Sequence, residues 1–293
     1  MSATPKGARR RTAAPPSRPT RRGAGALTRV TSGRLSVLRG GRGTPMVLLH
    51  GIPGSAHTWE SVAESLTGSH DVIAPDLLGF GESAWPGDDY YMETQARALR
   101  ETLTLLGVSE CYLAAHDFGG PVALTMLRLF PELRVRGLLL AATNVFTDTY
   151  VPPPLRLARV PILGTAFFHF MAGNRPAFRM MHLQACVARQ TLTWERFARH
   201  LTDGGIDLTR RIFQKSLADL KGNYQAIQDM LPHISVPTVV VWGDKDPFFA
   251  VSVGERTARA IPGARLVVYE ETGHFVPEEQ PERLAAEIAR SFV

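Results

Sequence analysis

The chain has 293 residues, of which 44% are hydrophobic and 20% charged, a balance that supports a sizeable core and excludes a disordered or collagen-like polymer. Basic residues outnumber acidic ones, 33 to 27, but Lys6, Arg9, Arg10, Arg11, Arg18, Arg21 and Arg22 all precede the first acid, Glu60. The excess therefore belongs to a tail, the body is near neutral, and no specific nucleic-acid partner is expected.

Residues 1–26 combine those charges with Pro5, Pro15, Pro16 and Pro19 and read as a disordered basic tail. It is either a solvated extension, an organelle address or a non-specific contact for nucleic acid or an anionic membrane. No apolar signal segment follows it, and no window is long and apolar enough for a membrane span, so a cytoplasmic location is expected. Cys111 and Cys186 have apolar flanks and read as packing thiols.

After the tail, short apolar runs alternate with stretches of helical period, the pattern of a mostly parallel sheet covered by helices. Strands are expected at Arg34 to Arg39, Pro45 to His50, Asp71 to Pro75, Cys111 to His116, Val135 to Ala141, Pro237 to Trp242 and Arg265 to Tyr269. Met92, Ala96, Leu99, Leu103 and Leu106 repeat at helical spacing and stop at Gly107, which can take the left-handed conformation that ends a helix. Leu284, Ile288 and Phe292 mark a last helix opening at Pro281. Residues 145–234 contain no good strand and read as an inserted helical lid between two halves of an α/β core, 27–144 and 235–293. Within the lid, Phe167, Phe168, Phe170, Met171, Met180 and Met181 either line an apolar pocket or form the underside of a packed helical layer.

The strand ending at His116 runs through Asp117, Phe118, Gly119 and Gly120 directly into a helix. Such a sharp strand-to-helix turn presents one side chain beside free backbone N–H groups, and here that nucleophile position holds Asp117. A carboxylate is ionised near neutral pH without a base and can attack a saturated carbon to form an ester.

Four landmarks in order make residues 30–293 resemble the α/β-hydrolase superfamily, in its aspartate-nucleophile branch of epoxide hydrolases and haloalkane dehalogenases. They are His50-Gly51-Ile52-Pro53-Gly54, Asp76-Leu77-Leu78-Gly79-Phe80-Gly81-Glu82-Ser83, the Asp117 turn, and a late acid and histidine. The resemblance implies an α/β-hydrolase fold needing no cofactor, with Asp246 of Gly243-Asp244-Lys245-Asp246 as the acid and Asp244 as a turn residue. It implies His274 of Thr272-Gly273-His274-Phe275 as the base, and the backbone N–H groups of Ile52 and Phe118 as an oxyanion hole. Asp117 would then form an alkyl ester, which water activated by His274 and Asp246 would hydrolyse. His116 is expected to support the turn, and His169, His182 and His200 to be surface or packing residues.

Epoxide hydrolases usually protonate the leaving oxygen with two lid tyrosines. Here Tyr224 resembles one of them in position, while Tyr150 lies too early for a good match. Dehalogenases usually hold the halide with a tryptophan after the nucleophile and an Asn or second Trp, places taken here by Phe118 and Ile52, whose side chains donate nothing. Trp194 is the remaining lid candidate. An epoxide of a hydrophobic small molecule is thus the leading substrate. A haloalkane, specialised secondary-metabolic chemistry on the same fold, and a non-catalytic binding protein are the alternatives.

Overall fold

A computed structural model describes residues 25–292, except 86, 88, 150–155, 157–159, 174, 192, 201 and 202; some further side chains between 161 and 206 also lie outside the described set. Among the described residues an eight-stranded sheet runs β1 (Thr28–Ser32), β2 (Leu35–Gly41), β4 (His70–Pro75), β3 (Thr44–Leu49), β5 (Glu110–His116), β6 (Arg134–Ala141), β7 (Thr238–Gly243) and β8 (Arg265–Tyr269). The two pairings that involve β2 are antiparallel and all others parallel.

Every strand expected from an apolar run is present. β1 was not expected, because Thr-Arg-Val-Thr-Ser has the polar look of an edge strand that pairs on one side only. The basic tail lies outside the described residues as far as residue 24.

Alternation along the central strands feeds two cores, one on each face of the sheet. Val47, Leu49, Leu113 and Ala115 point into one, and Met46, Leu48, Tyr112 and Ala114 into the other. α1 (Glu60–Leu66) and the last helix, α11 (Pro281–Ser291), cover the second core; α2 (Met92–Leu105) and α3 (Gly119–Leu129) cover the first. α2 buries Met92, Ala96, Leu99 and Leu103, and the chain leaves it through Gly107 at φ +74°. In α11, Leu284 and Ile288 are fully buried, each worth about 1.5–3 kcal/mol. Phe292 follows the helix and stacks on Tyr112 with ring centres 5.1 Å apart.

Between β6 and β7 the described residues form α4 (Pro161–Gly173), α5 (Arg175–Gln184), α6 (Trp194–His200), α7 (Asp203–Ala218) and α8 (Leu220–Met230), with no strand among them. α9 (Val251–Ala260) follows β7, and a short turn of helix, α10 (Val276–Glu279), follows β8.

The connections lead from β3 to one neighbour, β4, and then back across to the other, β5. The loops after β3 and β5 thus part at the reversal of strand order, where open α/β sheets form their crevice. Ile52 and Asp117 lie in those two loops.

Candidate active site

Asp117 stands one residue beyond β5 at φ +48°, a conformation costly for a residue with a side chain. Its surroundings hold it there. The Asp117 N–H donates to the Ala141 carbonyl at 3.1 Å, and its carbonyl accepts from the Gly120 N–H at 3.0 Å and the Thr143 hydroxyl at 2.7 Å. A Cβ on Gly119 would lie 2.6 Å from the Leu49 carbonyl oxygen, and one on Gly51 would lie 2.5 Å from Asp117 Oδ2. Glycine at these positions is what lets the β3 loop, β5 and α3 converge.

The two carboxylate oxygens of Asp117 face different partners. Oδ2 accepts the Ile52 N–H at 2.8 Å, and the Phe118 N–H also bonds to this carboxylate. Oδ1 lies 3.8 Å from His274 Nε2, beyond direct hydrogen-bond range. Burial raises the Asp117 pKa, opposed by the charge of His274 and by both N–H donors.

The Ile52 N–H is aimed by His50, whose role the sequence did not reveal. His50 Nδ1 bonds to the Gly51 carbonyl at 2.7 Å, while its Nε2 accepts the Leu77 N–H at 2.9 Å. Burial, against the pull of Asp76, lowers its pKa to about 4, so the ring is neutral and can donate with one nitrogen while accepting with the other. Asp76 braces the same loop by accepting the Ala56 N–H at 2.7 Å, and is itself held by Arg29 of β1 at 2.5 Å. The unexpected edge strand therefore supports the site.

His274 Nδ1 bonds to Asp246 Oδ2 at 2.9 Å, and Asp246 Oδ1 accepts the N–H groups of Phe248 and Phe249 at 2.8 and 3.0 Å. Burial disfavours the charged ring, but the charge and hydrogen bond of Asp246, with the charge of Asp117, outweigh it and raise the His274 pKa. Asp244 instead accepts the Thr272 N–H at 3.2 Å and pairs with Lys245, as a turn residue does. His116 Nε2 meets the His274 carbonyl at 2.9 Å, so it ties the Asp117 turn to the histidine loop.

Tyr224 is buried on α8 and senses the charge of Asp117; burial and then Tyr91 push its pKa well above the ordinary value. Tyr91 and Ser216, whose hydroxyls lie 2.7 Å apart, both act on its titration. Neither partner was found from sequence, because Tyr91 and Ser216 are 125 residues apart and neither belongs to a motif. Tyr150 and the side chain of Trp194 lie outside the described residues, as do the side chains of Phe168, His169, Met171 and Met181.

Two of the six candidate pocket residues, Phe170 and Met180, are exposed, while a third, Phe167, packs beside Leu217 of α7 as in a packed helical layer. The apolar content of α4 is high enough to supply both a packed face and an outward one, so composition misjudged where these side chains point. His182 and His200 are buried packing residues, the former stacked on Phe275 at 4.1 Å and the latter 3.4 Å from Glu278. Both cysteines are free and buried, with the Cys111 thiol pushed up to about 12 by burial.

Glu279 is a further residue that sequence reasoning missed. One of its oxygens accepts the N–H groups of Val187, Ala188 and Gly273 at 2.7, 3.1 and 3.2 Å. Together with the His274 N–H, which donates to the Ala185 carbonyl at 2.8 Å, it joins the segment after α5 to the histidine loop. Among the described residues no cluster of three or more His, Cys, Asp or Glu is placed to hold a metal ion. No described helix is long and apolar enough to cross a membrane.

This arrangement of sheet, turn and loops is that of a hydrolase, and the chain belongs to the alpha/beta hydrolase fold family, whose family model matches residues 44–281. Among its relatives, epoxide hydrolase 4 of Mus musculus is 28% identical over 264 residues, covering 84% of this chain and 72% of the relative. A solved thermophilic esterase from Thermogutta terrifontis is 26% identical with a TM-score of 0.72, covering 90% of this chain and 97% of the esterase. An epoxide hydrolase solved without ligand is 20% identical with a TM-score of 0.75, covering 91% and 98%, a likeness of fold.

Proposed function

We propose that this enzyme hydrolyses epoxides of hydrophobic small molecules through a covalent ester on Asp117, with residues 145–234 as the lid over the site. The observation that carries the reading is the division of labour at the Asp117 carboxylate. Oδ2 accepts the Ile52 N–H at 2.8 Å, the Phe118 N–H acts on the same carboxylate, and Oδ1 faces His274 without a direct bond.

A serine nucleophile needs its histidine within hydrogen-bond reach, because its proton must be removed. An aspartate has no proton to lose, and the histidine is needed only for water in the second step. The 3.8 Å separation suits that second role. The oxyanion of that step forms on the carboxyl oxygen of Asp117 that remains a carbonyl, Oδ2, where the Ile52 N–H already points. Attack of a carboxylate on an ester carbonyl would give a reactive anhydride, so the aspartate favours a saturated carbon over the ester substrates of serine relatives.

In the first step, Asp117 Oδ1 attacks a ring carbon, the carbon–oxygen bond breaks, and its electron pair goes to the epoxide oxygen. Tyr224 supplies the proton; its raised pKa keeps that proton in place until the oxygen becomes basic. In the second step His274, oriented by Asp246, takes a proton from water. The hydroxide adds to the ester carbonyl, the diol departs and Asp117 is restored. The proton gained by His274 balances the one lost by Tyr224. A halide would instead need N–H donors, and neither Ile52 nor Phe118 offers one from its side chain.

The test is intact mass spectrometry of His274→Gln, which can form but not hydrolyse the ester. Exposure to styrene oxide or 1,2-epoxyhexane should add the mass of the whole epoxide, and adding Asp117→Ala should abolish it. Adducts from haloalkanes alone, or none from either panel, would overturn the epoxide reading.

A further inference from the structure

Exposed apolar side chains are not spread evenly over this molecule. Among the described residues nine large ones are exposed, and six of these lie between positions 160 and 187: Val160, Ile162, Leu163, Phe170, Met180 and Val187. The charges are sorted in the same way. From Thr149 to Trp194 the chain has five arginines, Arg156, Arg159, Arg175, Arg179 and Arg189, and no Asp or Glu. This stretch and the residues before position 23 together hold twelve of the 33 basic residues and none of the 27 acids, so the rest of the chain is net acidic.

α4 is the centre of this region. Arg156 and Arg159 precede it in the chain, and Arg175 and Arg179 follow it. Ile162, Leu163, Ala166 and Phe170 fall within about 100° of one another around the helix, and all four are exposed. The other side is taken up by protein, since Phe167 packs beside Leu217 and Thr165 Oγ1 accepts from Gln214 Nε2 at 3.4 Å. α4 therefore needs no polar face of its own, and what it turns outward is apolar, with arginines on either side in sequence. Long basic side chains beside an apolar helix face suit the boundary between acyl chains and headgroups.

We propose that the outer stripe of α4, with Met180 of α5, docks on the surface of an anionic lipid bilayer, drawn there by the arginines of 149–194 and by the basic tail. Each basic residue that reaches such a surface strengthens binding about fivefold. Three observations select this occupant. The stripe is a ridge, which a bilayer accommodates without a matching groove. A second copy of the chain would bring two acid-free, arginine-bearing stretches together, and like charges repel. The net acidic remainder is repelled by the same lipid, so the charge distribution decides which side of the molecule faces it. The proposal goes beyond the hydrolytic reading and does not depend on it.

The test is sedimentation of the full chain with vesicles of phosphatidylcholine alone or mixed with phosphatidylserine. Binding is expected to the mixed vesicles at low salt, to weaken as salt is raised, and to be slight on phosphatidylcholine alone. Ile162→Gln combined with Phe170→Gln should lower the partition coefficient about tenfold or more. Leu105→Gln, at an exposed apolar residue on α2, should leave it unchanged. Urea unfolding checks that each variant is folded. Replacing the seven tail basic residues with Gln should weaken binding without abolishing it. Three results would overturn the proposal: no binding to the mixed vesicles, equal losses in the α4 and Leu105 variants, or a folded α4 variant that binds like the parent while the tail variant does not bind. Absence of vesicle binding, with a light-scattering mass of two chains that falls to one in the α4 variant, would put a second copy in place of the lipid.

Discussion

The loops at the ends of β3, β5, β7 and β8 and the helices between β6 and β7 are built on opposite principles. In the loops, backbone groups are individually tied. Asp117, Ile52 and His274 are each held by hydrogen bonds of 2.7–3.1 Å from residues distant in the chain, and glycines at 51 and 119 let those segments touch. α4 is nearly the reverse. It carries no Lys, Arg, Asp or Glu, packs one side toward α7 through Phe167 and Thr165, and turns Ile162, Leu163, Ala166 and Phe170 outward on one stripe. The exposure of Ile162 and Phe170, 82% and 64%, marks a helix held from one face. The geometry of the loops is therefore stored in the core, and the helical segment meets the histidine loop at pins that include Glu279 and the Ala185 carbonyl.

The comparison breaks most sharply at Asp246, whose side-chain partner outside its own turn, among the described residues, is His274. Asp246→Asn should leave ester formation nearly intact and slow ester breakdown by about 10³–10⁴-fold. The pH dependence follows from the raised His274 pKa. The ring must be neutral to take a proton from water, so breakdown falls as pH drops through the His274 pKa, which the Asp246 charge holds up while the esterified Asp117 no longer contributes. Without the Asp246 charge that raising is lost, and the break moves to lower pH even as the plateau falls. Single-turnover decay of the ester across pH measures both. A break that stays in place would show that His274 takes its basicity from elsewhere.

The sequence revealed this core far better than it revealed the helices. Apolar runs marked β3 to β7 because a strand covered on both faces has no polar face, and the run Leu-Val-Val marked β8 although it lies at the sheet edge. The order of landmarks separated Asp246 from Asp244, which composition cannot do. β1 escaped because an edge strand need not be apolar, and with it went Arg29 and its hold on Asp76. His50 was read as part of a turn, since its use lies in two bonds to backbone groups that no side-chain pattern encodes. Tyr91 and Glu279 escaped because their partners are 125 and 92 residues away and are met only after folding. In α4 the apolar residues were legible but their direction was not, because a helix apolar on both sides has no periodic signal to orient it.

Glu279 tests the pins between the two regions and should have the next largest effect. One oxygen of its carboxylate accepts three N–H groups, and Glu279→Ala would remove that acceptor and leave all three unpaired. A loss of about 1–3 kcal/mol is expected in urea unfolding. Faster amide exchange should accompany it at Gly273, Val187 and Ala188. If exchange quickens at Gly273 alone, the histidine loop and the helical segment are joined through the Ala185 carbonyl instead.

The smallest effect is expected on the outer stripe of α4, and its smallness is the point. Ile162→Gln and Phe170→Gln exchange exposed apolar groups for polar ones in a helix. Gln is at least as good a helix former as Ile or Phe, so each change should fall within about 0.5 kcal/mol of the parent in urea unfolding. A buried position of similar size would lose several times more on a comparable change. A loss above about 2 kcal/mol would mean that the stripe is covered in solution. Repeating the measurement over a tenfold range of protein concentration then separates a cover made by another copy of the chain, which gives a concentration-dependent midpoint, from one made by the chain itself.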